Sequence, residues 1–346
     1  MGVEITEKRD KLCARCGALE LEKLVASRTE NSWNCFVNTT AGAELMLSNS
    51  LMVARFKSDS IQLDGVLCNL FSQYFVPLPG RQVQADLMLW AHHHTEGYDM
   101  VSLSLRSSIG HPWQYWLFPV EQPQEPLYGV IHGTGHPVKV DCADIALAKS
   151  WLEQCRAKHK SKSKHCTPVT LSLKTPLKVI DCQTRQVRVL HEHETYVCLS
   201  YVWGNTTTNE NFNGLQLPEK IGKTIEDAIY VSQQLGIPRL WVDQYCINQQ
   251  HSEEKSNIIK VMDRIYGGAE ITIVDAGDHP LGGLPGINGT TRRPQRVVHF
   301  RFGSYVEVGD ILRRIKSSPW NSRAWTYQEG LLAPRRLIFS NSQMYF

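Results

Sequence analysis

Residues 196–202 read YVCLSYV, a short and mostly apolar run that is followed by a Trp-Gly turn. Apolar runs of about four to eight residues that end in turn residues are typical of buried strands. Apolar residues then recur at helical spacing between Thr224 and Leu235, and Gly236 and Pro238 follow as helix-ending residues. This stretch therefore predicts a buried strand followed by an amphipathic helix.

The same alternation continues to residue 346. The further predicted elements are a strand at Arg239–Asp243, a helix capped by Ser252 that ends at Gly267-Gly268, a strand at Ala269–Asp275, a helix from Ser318 to about Leu332, and a strand at Arg335–Phe339. Alternating strands and helices favour right-handed βαβ units, and hence a parallel sheet with helices on both faces. Just upstream, LKVID at 177–181 and QVRVL at 186–190 flank a short turn, which predicts a β-hairpin.

The region before this α/β segment has a different pattern of apolar and polar residues. Residues 101–106, VSLSLR, alternate apolar and polar side chains, which is the period of a half-buried strand. We therefore predict three segments: a β-rich N-terminal region of unknown role at 1–150, a basic Cys/His junction at 151–174, and an α/β domain at 175–346.

Composition excludes several classes of protein. The chain has 346 residues with 37 Lys and Arg against 34 Asp and Glu, so its net charge is only +3. This balance predicts neither nucleic acid nor an anionic membrane as the main partner. The sequence has no run of about 18 apolar residues and no apolar segment near its first residue, so we expect a cytoplasmic protein without a spanning helix or secretion signal. Its ten cysteines are then expected to be reduced.

The junction offers a possible zinc site. Cys155 and His159 are four residues apart and would share one face of a helix, with Cys166 close behind. Together with Cys13 and Cys16, a CxxC pair, they form a Cys/His set of the kind that binds zinc. The alternative is a solvated linker, because five basic residues lie within residues 156–164. We favour no metal and keep zinc as the alternative.

Polar residues follow the predicted strands, where open parallel sheets bind ligands. The sequence lacks a Walker loop, a GxGxxG turn after the first strand, and a GxSxG elbow. The glycine-rich stretch 282–286 is interpreted as flexible surface. A phosphate-loop enzyme or a serine hydrolase of the elbow type is therefore not predicted.

Three blocks carry a resemblance to a known family. YVCLSYVWG at 196–204, LWVDQYCINQ at 240–249 and RAWTYQE at 323–329 resemble, in order and spacing, the signature blocks of the fungal heterokaryon-incompatibility (HET) domain. That family acts in fungal non-self recognition and triggers programmed cell death of fused cells. It also looks like a distant relative of TIR domains, whose fold is a flavodoxin-like parallel sheet.

The resemblance to TIR domains implies a catalytic residue. Enzymatic TIR domains cleave NAD⁺ with a glutamate four residues after a tryptophan, and Trp325 and Glu329 have this spacing. The resemblance therefore implies that Glu329 is catalytic and that NAD⁺ is the substrate. The residues that would surround the dinucleotide are Ser200, Tyr201, Trp203, Gly204, Asp243, Asn248, Arg323 and Trp325.

Structural roles remain open for the same residues. Glu329 could simply bond a backbone amide or Arg323, and Asp243 could be a turn or cap residue. Two functions are therefore carried forward: a NAD⁺ glycohydrolase that is switched on by self-association, and a non-catalytic module that acts through HET–HET contacts. An upstream sensor of non-self is expected as a partner, but the sequence does not identify it.

Overall fold

The computed structural model describes residues 50–57, 84–93, 99–107, 114–120, 137–159, 166–173, 175–203, 212, 214–279, 282–300, 303–308, 311–323 and 326–346. The chain divides into two compact units. The first comprises residues 1–137 and 295–310, and the second comprises residues 138–294 and 311–346.

The elements are named here in chain order. The strands are β1 (Ser50–Lys57), β2 (Gln84–His93), β3 (Asp99–Ser107), β4 (Gln114–Pro119), β5 (Lys178–Asp181), β6 (Gln186–Val189), β7 (Val197–Ser200), β8 (Arg239–Trp241), β9 (Ile271–Ala276), β10 (Val297–Phe300), β11 (Gly303–Val308), β12 (Arg336–Ser340) and β13 (Met344–Tyr345). The helices are α1 (Ile145–His159), α2 (Lys223–Gln234), α3 (Asp243–Cys246), α4 (Ser252–Ile259), α5 (Met262–Gly268), α6 (Ile311–Lys316) and α7 (Thr326–Leu331), with a 3₁₀ turn at Trp320–Ser322.

The first unit is a six-stranded antiparallel sheet in the order β1-β2-β3-β4-β11-β10. Strands β2 to β4 each bury a leucine, at Leu87, Leu103 and Leu117. Four of its strands, β1 to β4, lie within residues 1–150, for which the sequence predicts a β-rich region. Two of its strands, β10 and β11, come from much later in the chain.

The second unit contains a seven-stranded sheet in the order β13-β12-β9-β7-β8-β5-β6. Strands β8, β7, β9 and β12 are parallel neighbours. The predicted hairpin is present as β5–β6, which adds antiparallel to the β8 edge. The centre of this sheet is buried: all four residues of β7 and all six of β9 are shielded from solvent, as expected of strands covered on both faces.

Two groups of helices pack on this sheet. Helix α2 connects β7 to β8 and contacts α1, whereas α5 precedes β9 and contacts α7. The chain runs from β7 to β8 on one side of β7, and later crosses to β9 on the other side. Because crossovers of this kind are right-handed, the two connections place their helices on opposite faces of the sheet. The sequence is consistent with this placement, because α2 buries Ile225, Ala228 and Val231 on one side. Among the described residues, no helix is both long and apolar enough to cross a membrane.

The segment boundaries differ from the predicted ones at 150 and 174. Helix α1 and the residues from 138 onward belong to the second unit, while residues 295–310 belong to the first. The reason is long-range pairing: β11 pairs with β4, and β10 pairs with β11. The local pattern of apolar and polar residues cannot reveal a pairing between strands so far apart in the sequence.

Two predicted helices are broken. The helix expected at 318–332 is a 3₁₀ turn followed by α7, because Arg323 adopts an extended backbone between them. The helix expected from Ser252 to Gly268 is two helices, α4 and α5. Its predicted cap was also wrong: the N-cap is His251, whose Nδ1 accepts from the Glu254 amide at 3.0 Å.

The glycine-rich stretch 282–286 is not flexible surface. Leu284 is fully buried and Gly283 and Gly286 adopt positive φ angles of 87° and 86°. The Asp227 carboxylate on α2 accepts from the Leu284 amide at 2.9 Å. The loop is thus fastened to α2, which the sequence pattern did not indicate.

Candidate functional site

The candidate site begins at the carboxyl end of β7, where Ser200 is the last residue of the strand. The Ser200 hydroxyl accepts a hydrogen bond from Trp320 Nε1 at 2.6 Å and donates one to Glu329 Oε2. All three side chains are buried. Helix α7 contacts β7 and β9, which brings Glu329 over the strand end. An indole, a hydroxyl and a carboxylate therefore form one continuous hydrogen-bonded chain.

The environment of Glu329 disfavours its charged form. Burial raises the pKa of the Glu329 carboxyl, while the bond from Ser200 and the positive charge of Arg323 partly oppose that rise. The side chain is only 2% exposed. A carboxyl in this setting is the kind of group that functional sites tune by burial.

Arg323 and Tyr201 connect the site to the next strand. Arg323 Nη1 donates to the Tyr201 carbonyl oxygen, and the Tyr201 hydroxyl donates to Gln244 Oε1 at 2.6 Å. Gln244 lies in α3, the short helix that directly follows β8. The ends of β7 and β8 are therefore joined by side-chain bonds, as expected of neighbouring parallel strands.

A second carboxylate lies at the end of β8. Asp243 begins α3 and accepts from Trp203 Nε1 at 2.9 Å and from the Gln244 amide at 2.8 Å. Burial, together with the charge of Glu329, raises the pKa of Asp243 to about 7, and the bond from Trp203 opposes this rise. The indole of Trp203 itself is 37% exposed. The site thus combines two electrostatically coupled carboxyls, a guanidinium and a solvent-facing aromatic ring.

This arrangement suits chemistry in which positive charge develops on a bound molecule. An ionised carboxylate in a water-poor site stabilises such charge more strongly than it would in water. The exposed indole offers an aromatic face for stacking, and the guanidinium offers donors for an anionic group.

Most of the predicted residues come together, and a few do not. Ser200 and Glu329 are hydrogen-bonded to each other, and Gln244 links a second bonded group that contains Tyr201, Trp203, Asp243 and Arg323. Asn248 is exposed, and its Oδ1 accepts from the Gln250 amide at 3.1 Å, so it orders its own loop. Gly204 and Trp325 lie outside the described residues.

Sequence reasoning missed the role of two side chains. Trp320 is buried like a core residue, but its indole N–H also donates to the Ser200 hydroxyl. Gln244 lies within the second motif block, and its side chain accepts from the Tyr201 hydroxyl. No local pattern distinguishes a core tryptophan from one that donates to a site, since both are buried.

A further polar cluster involves Asp275 at the end of β9. Its carboxylate is 3% exposed and accepts from the Gly277 amide at 3.0 Å and the Thr224 hydroxyl at 3.3 Å. Burial raises its pKa to about 7. Its strand neighbours Val274 and Ala276 pack with Trp320, so Asp275 faces the opposite side of the sheet, toward α2. It therefore does not belong to the Glu329 set.

The junction residues also come together in part. Cys155, His159 and Cys166 have their donor atoms within 4.8 Å of one another. Cys13 and Cys16, the other two members of the possible zinc set, lie outside the described residues.

Comparison with known proteins identifies the segment that carries the site. Residues 196–329 match the profile of the family described as "Heterokaryon incompatibility protein (HET)". A curated relative, "Heterokaryon incompatibility protein 6, OR allele" from Neurospora crassa, is 33% identical over 97 residues. That alignment covers 24% of this chain and 14% of the relative. No solved structure matches the chain.

Proposed function

Since the chain carries a heterokaryon incompatibility domain between residues 196 and 329, we propose that it acts in fungal non-self recognition and contributes to the death of incompatible cells. The Neurospora crassa relative is named for heterokaryon incompatibility, which supports this role. The chain spans only a small part of that relative's length, 14% in the alignment, so the role concerns the shared domain.

The proposed activity is hydrolysis of NAD⁺ with Glu329 as the catalytic carboxylate. One observation carries this proposal. Ser200 from the first motif block and Glu329 from the last block meet at the carboxyl end of a parallel strand. Open parallel sheets bind their ligands at that end. Two residues that are 129 positions apart thereby share one site.

The chemistry requires a single ionised carboxylate. The bond between the ribose C1′ and the nicotinamide nitrogen breaks, and its electron pair stays on nicotinamide, which leaves as a neutral molecule. Positive charge then develops on the ribose, and the Glu329 carboxylate would stabilise it. Water adds at C1′ and releases a proton, so the products are nicotinamide, ADP-ribose and H⁺. A well-placed group of this kind contributes on the order of 3–4 kcal/mol to the transition state.

The surrounding residues fit the rest of the dinucleotide. The exposed Trp203 indole would stack on a base, and the Arg323 guanidinium would meet the pyrophosphate. Asp243 holds Trp203 in place through Nε1. Asp243 is therefore proposed as a positioning residue for the aromatic face.

The strand order supports the relationship to TIR-like folds. Numbered in chain order, the four parallel strands β7, β8, β9 and β12 lie in the order 2-1-3-4. This is the order of flavodoxin-like sheets, whose ligands bind between the first and third strands. Ser200 ends the first of these strands.

A non-catalytic module is the second candidate, and the burial of Glu329 favours it. The Glu329 side chain is 2% exposed and bound by Ser200, which is also what a structural carboxyl would show. In this case the domain would signal by self-association through HET–HET contacts and recruitment of partners. The catalytic proposal needs a rearrangement, such as self-association, that opens Glu329 to the substrate.

Expression in a fungal host separates the two candidates. Cells that express the wild-type chain, Glu329→Ala or Glu253→Ala are compared for viability and for NAD⁺ content, since Glu253 is an exposed glutamate on α4. The catalytic proposal expects death with NAD⁺ loss for wild type and Glu253→Ala, and neither for Glu329→Ala. Death at unchanged NAD⁺ would support the non-catalytic module, and healthy cells in all cases would contradict both.

A further inference from the structure

A second cluster of reactive side chains lies at the end of α1, and it does not depend on the proposed function. Cys155 and His159 are one helical turn apart, and Cys166 returns to the same place after the helix ends. Cys155 Sγ is 3.5 Å and Cys166 Sγ is 3.6 Å from the same atom, His159 Nδ1. Two sulfur atoms thus converge on one imidazole nitrogen.

Hydrogen bonding alone does not account for this convergence. An imidazole Nδ1 carries either one hydrogen or one lone pair, so it cannot make a well-directed hydrogen bond to both thiols at once. Two sulfur atoms nevertheless lie at bonding distance from it. A cation placed between the three donor atoms would satisfy all of them at once.

The distances fit zinc. Zn–S bonds of about 2.3 Å and Zn–N bonds of about 2.0–2.1 Å at tetrahedral angles separate sulfur from nitrogen by about 3.6 Å. The observed separations are 3.5 and 3.6 Å, and all three donor atoms lie within 4.8 Å of one another. Two thiolates and an imidazole are also the soft and borderline ligands that select zinc.

The surroundings suit a thiolate ligand. Arg335 Nε lies 3.3 Å from Cys155 Sγ, and Arg335 is buried. The Glu270 carboxylate binds Arg335 Nη1 at 2.7 Å and Arg156 Nε at 2.7 Å. An N–H donor to a metal-bound sulfur is a common outer partner that fixes the ligand and tunes its charge.

We propose that Cys155, His159 and Cys166 bind one structural Zn²⁺ ion. The described residues supply three ligands, and water or a donor outside the described part of the chain completes the tetrahedron. The ion would fasten the segment after Cys166 to α1. That segment also pairs with α5, where the Val169 amide donates to the Gly267 carbonyl at 2.8 Å.

The test measures zinc per chain in the purified 346-residue chain, before and after reconstitution with ZnCl₂ alone. We expect about one zinc per chain in the wild type. Cys166→Ser and His159→Gln are expected to lose the metal, while Cys142→Ser keeps it. Cys142 is the matched control because it is an exposed cysteine outside the cluster, and its thiol donates to the neighbouring Ala143 carbonyl.

Cobalt substitution keeps the proposal testable if a variant folds poorly. Co²⁺ in the wild-type chain should show tetrahedral d–d bands and a sulfur-to-metal charge-transfer band, because two thiolates coordinate the ion. In Cys166→Ser, which is expected to lose the metal, both sets of bands should disappear. The proposal would be overturned if the wild-type protein stays zinc-free after reconstitution under reducing conditions, or if Cys166→Ser retains its zinc undiminished.

Discussion

Ser200 is the residue on which the site is assembled. Its hydroxyl is the shared partner of the Trp320 indole and the Glu329 carboxyl, and it is 1% exposed. Without it, two buried polar groups lose their bond, and neither can reach water. An unpaired buried group costs more than the lost bond itself.

Ser200→Ala is therefore expected to lower the free energy of unfolding by about 1–3 kcal/mol. The measurement is urea unfolding, compared with Ser256→Ala. Ser256 is exposed on α4, and its substitution should change stability by no more than about 0.5 kcal/mol. Equal effects of the two substitutions would show that the hydroxyl is not a structural bridge.

Asp243 should make stability depend on pH. Its pKa in the folded chain is raised from 3.8 to about 7, so the folded state holds a proton that the unfolded state releases. Its contribution is fully present below about pH 4 and is lost as pH rises through about 7. This dependence of stability on pH is opposite in sign to that of a salt-bridged carboxylate, whose contribution is lost as pH falls.

Asp243→Asn should remove that dependence, because an amide does not titrate but can still accept from Trp203 and the Gln244 amide. Urea unfolding at pH 5 and pH 7 checks this prediction. Wild type should lose stability relative to Asp243→Asn as pH rises, by at most about 1.4 kcal/mol per pH unit. A constant difference between the two proteins across this range would contradict the raised pKa.

At the scale of elements, the start of α4 offers a clear comparison. His251 caps the helix through Nδ1, although the sequence pattern pointed to Ser252. Serine is a common cap and histidine is not, so propensity favoured the wrong residue. His251→Ala should cost about 0.5–2 kcal/mol in urea unfolding, whereas Ser252→Ala should be near neutral. The reverse ranking would mean that Ser252 is the cap.

In the loop at 282–289, the backbone of Gly283 closely approaches side chains of helix α2. Gly283 has a φ of 87°, and a Cβ there would overlap the Asp227 carboxylate and lie 2.9 Å from Lys223 Cγ. Gly289 has a similar φ of 83°, but nothing lies within 4 Å of the added carbon. Both alanine variants carry the strain of a positive φ, about 1–2 kcal/mol, so the difference between them reports the overlap. Gly283→Ala should be the less stable of the two by thermal unfolding, and equal stability would contradict the packing against α2.

The elements were predictable where the chain signals them locally. The strands β7, β8, β9 and β12 and helix α2 follow from short apolar runs and helical spacing. The break between the 3₁₀ turn and α7 was not predictable, because the extended backbone of Arg323 has no local sequence signature. The burial of the 282–286 loop was missed for a related reason: its partner, Asp227, is about 57 residues away in sequence.

At the scale of the whole molecule, the site was predictable through its motif blocks. Resemblance placed Ser200 and Glu329 in one site, and their side chains are bonded to each other. Trp320 could not be anticipated, because burial hides its second role. The pairing of β11 with β4 could not be anticipated either, since it joins residues nearly 190 positions apart.

Release of nicotinamide by the purified 346-residue chain is the decisive measurement for Glu329 as a catalytic carboxylate. NAD⁺ is incubated with increasing concentrations of wild-type protein or of Glu329→Gln, which keeps the size of the side chain but cannot ionise. If self-association opens the site, the rate of nicotinamide release per chain should rise with the concentration of the wild-type protein. Glu329→Gln should release no nicotinamide above the level of buffer alone. Release that is equal for both proteins, or absent from wild type at every concentration, would contradict this role of Glu329.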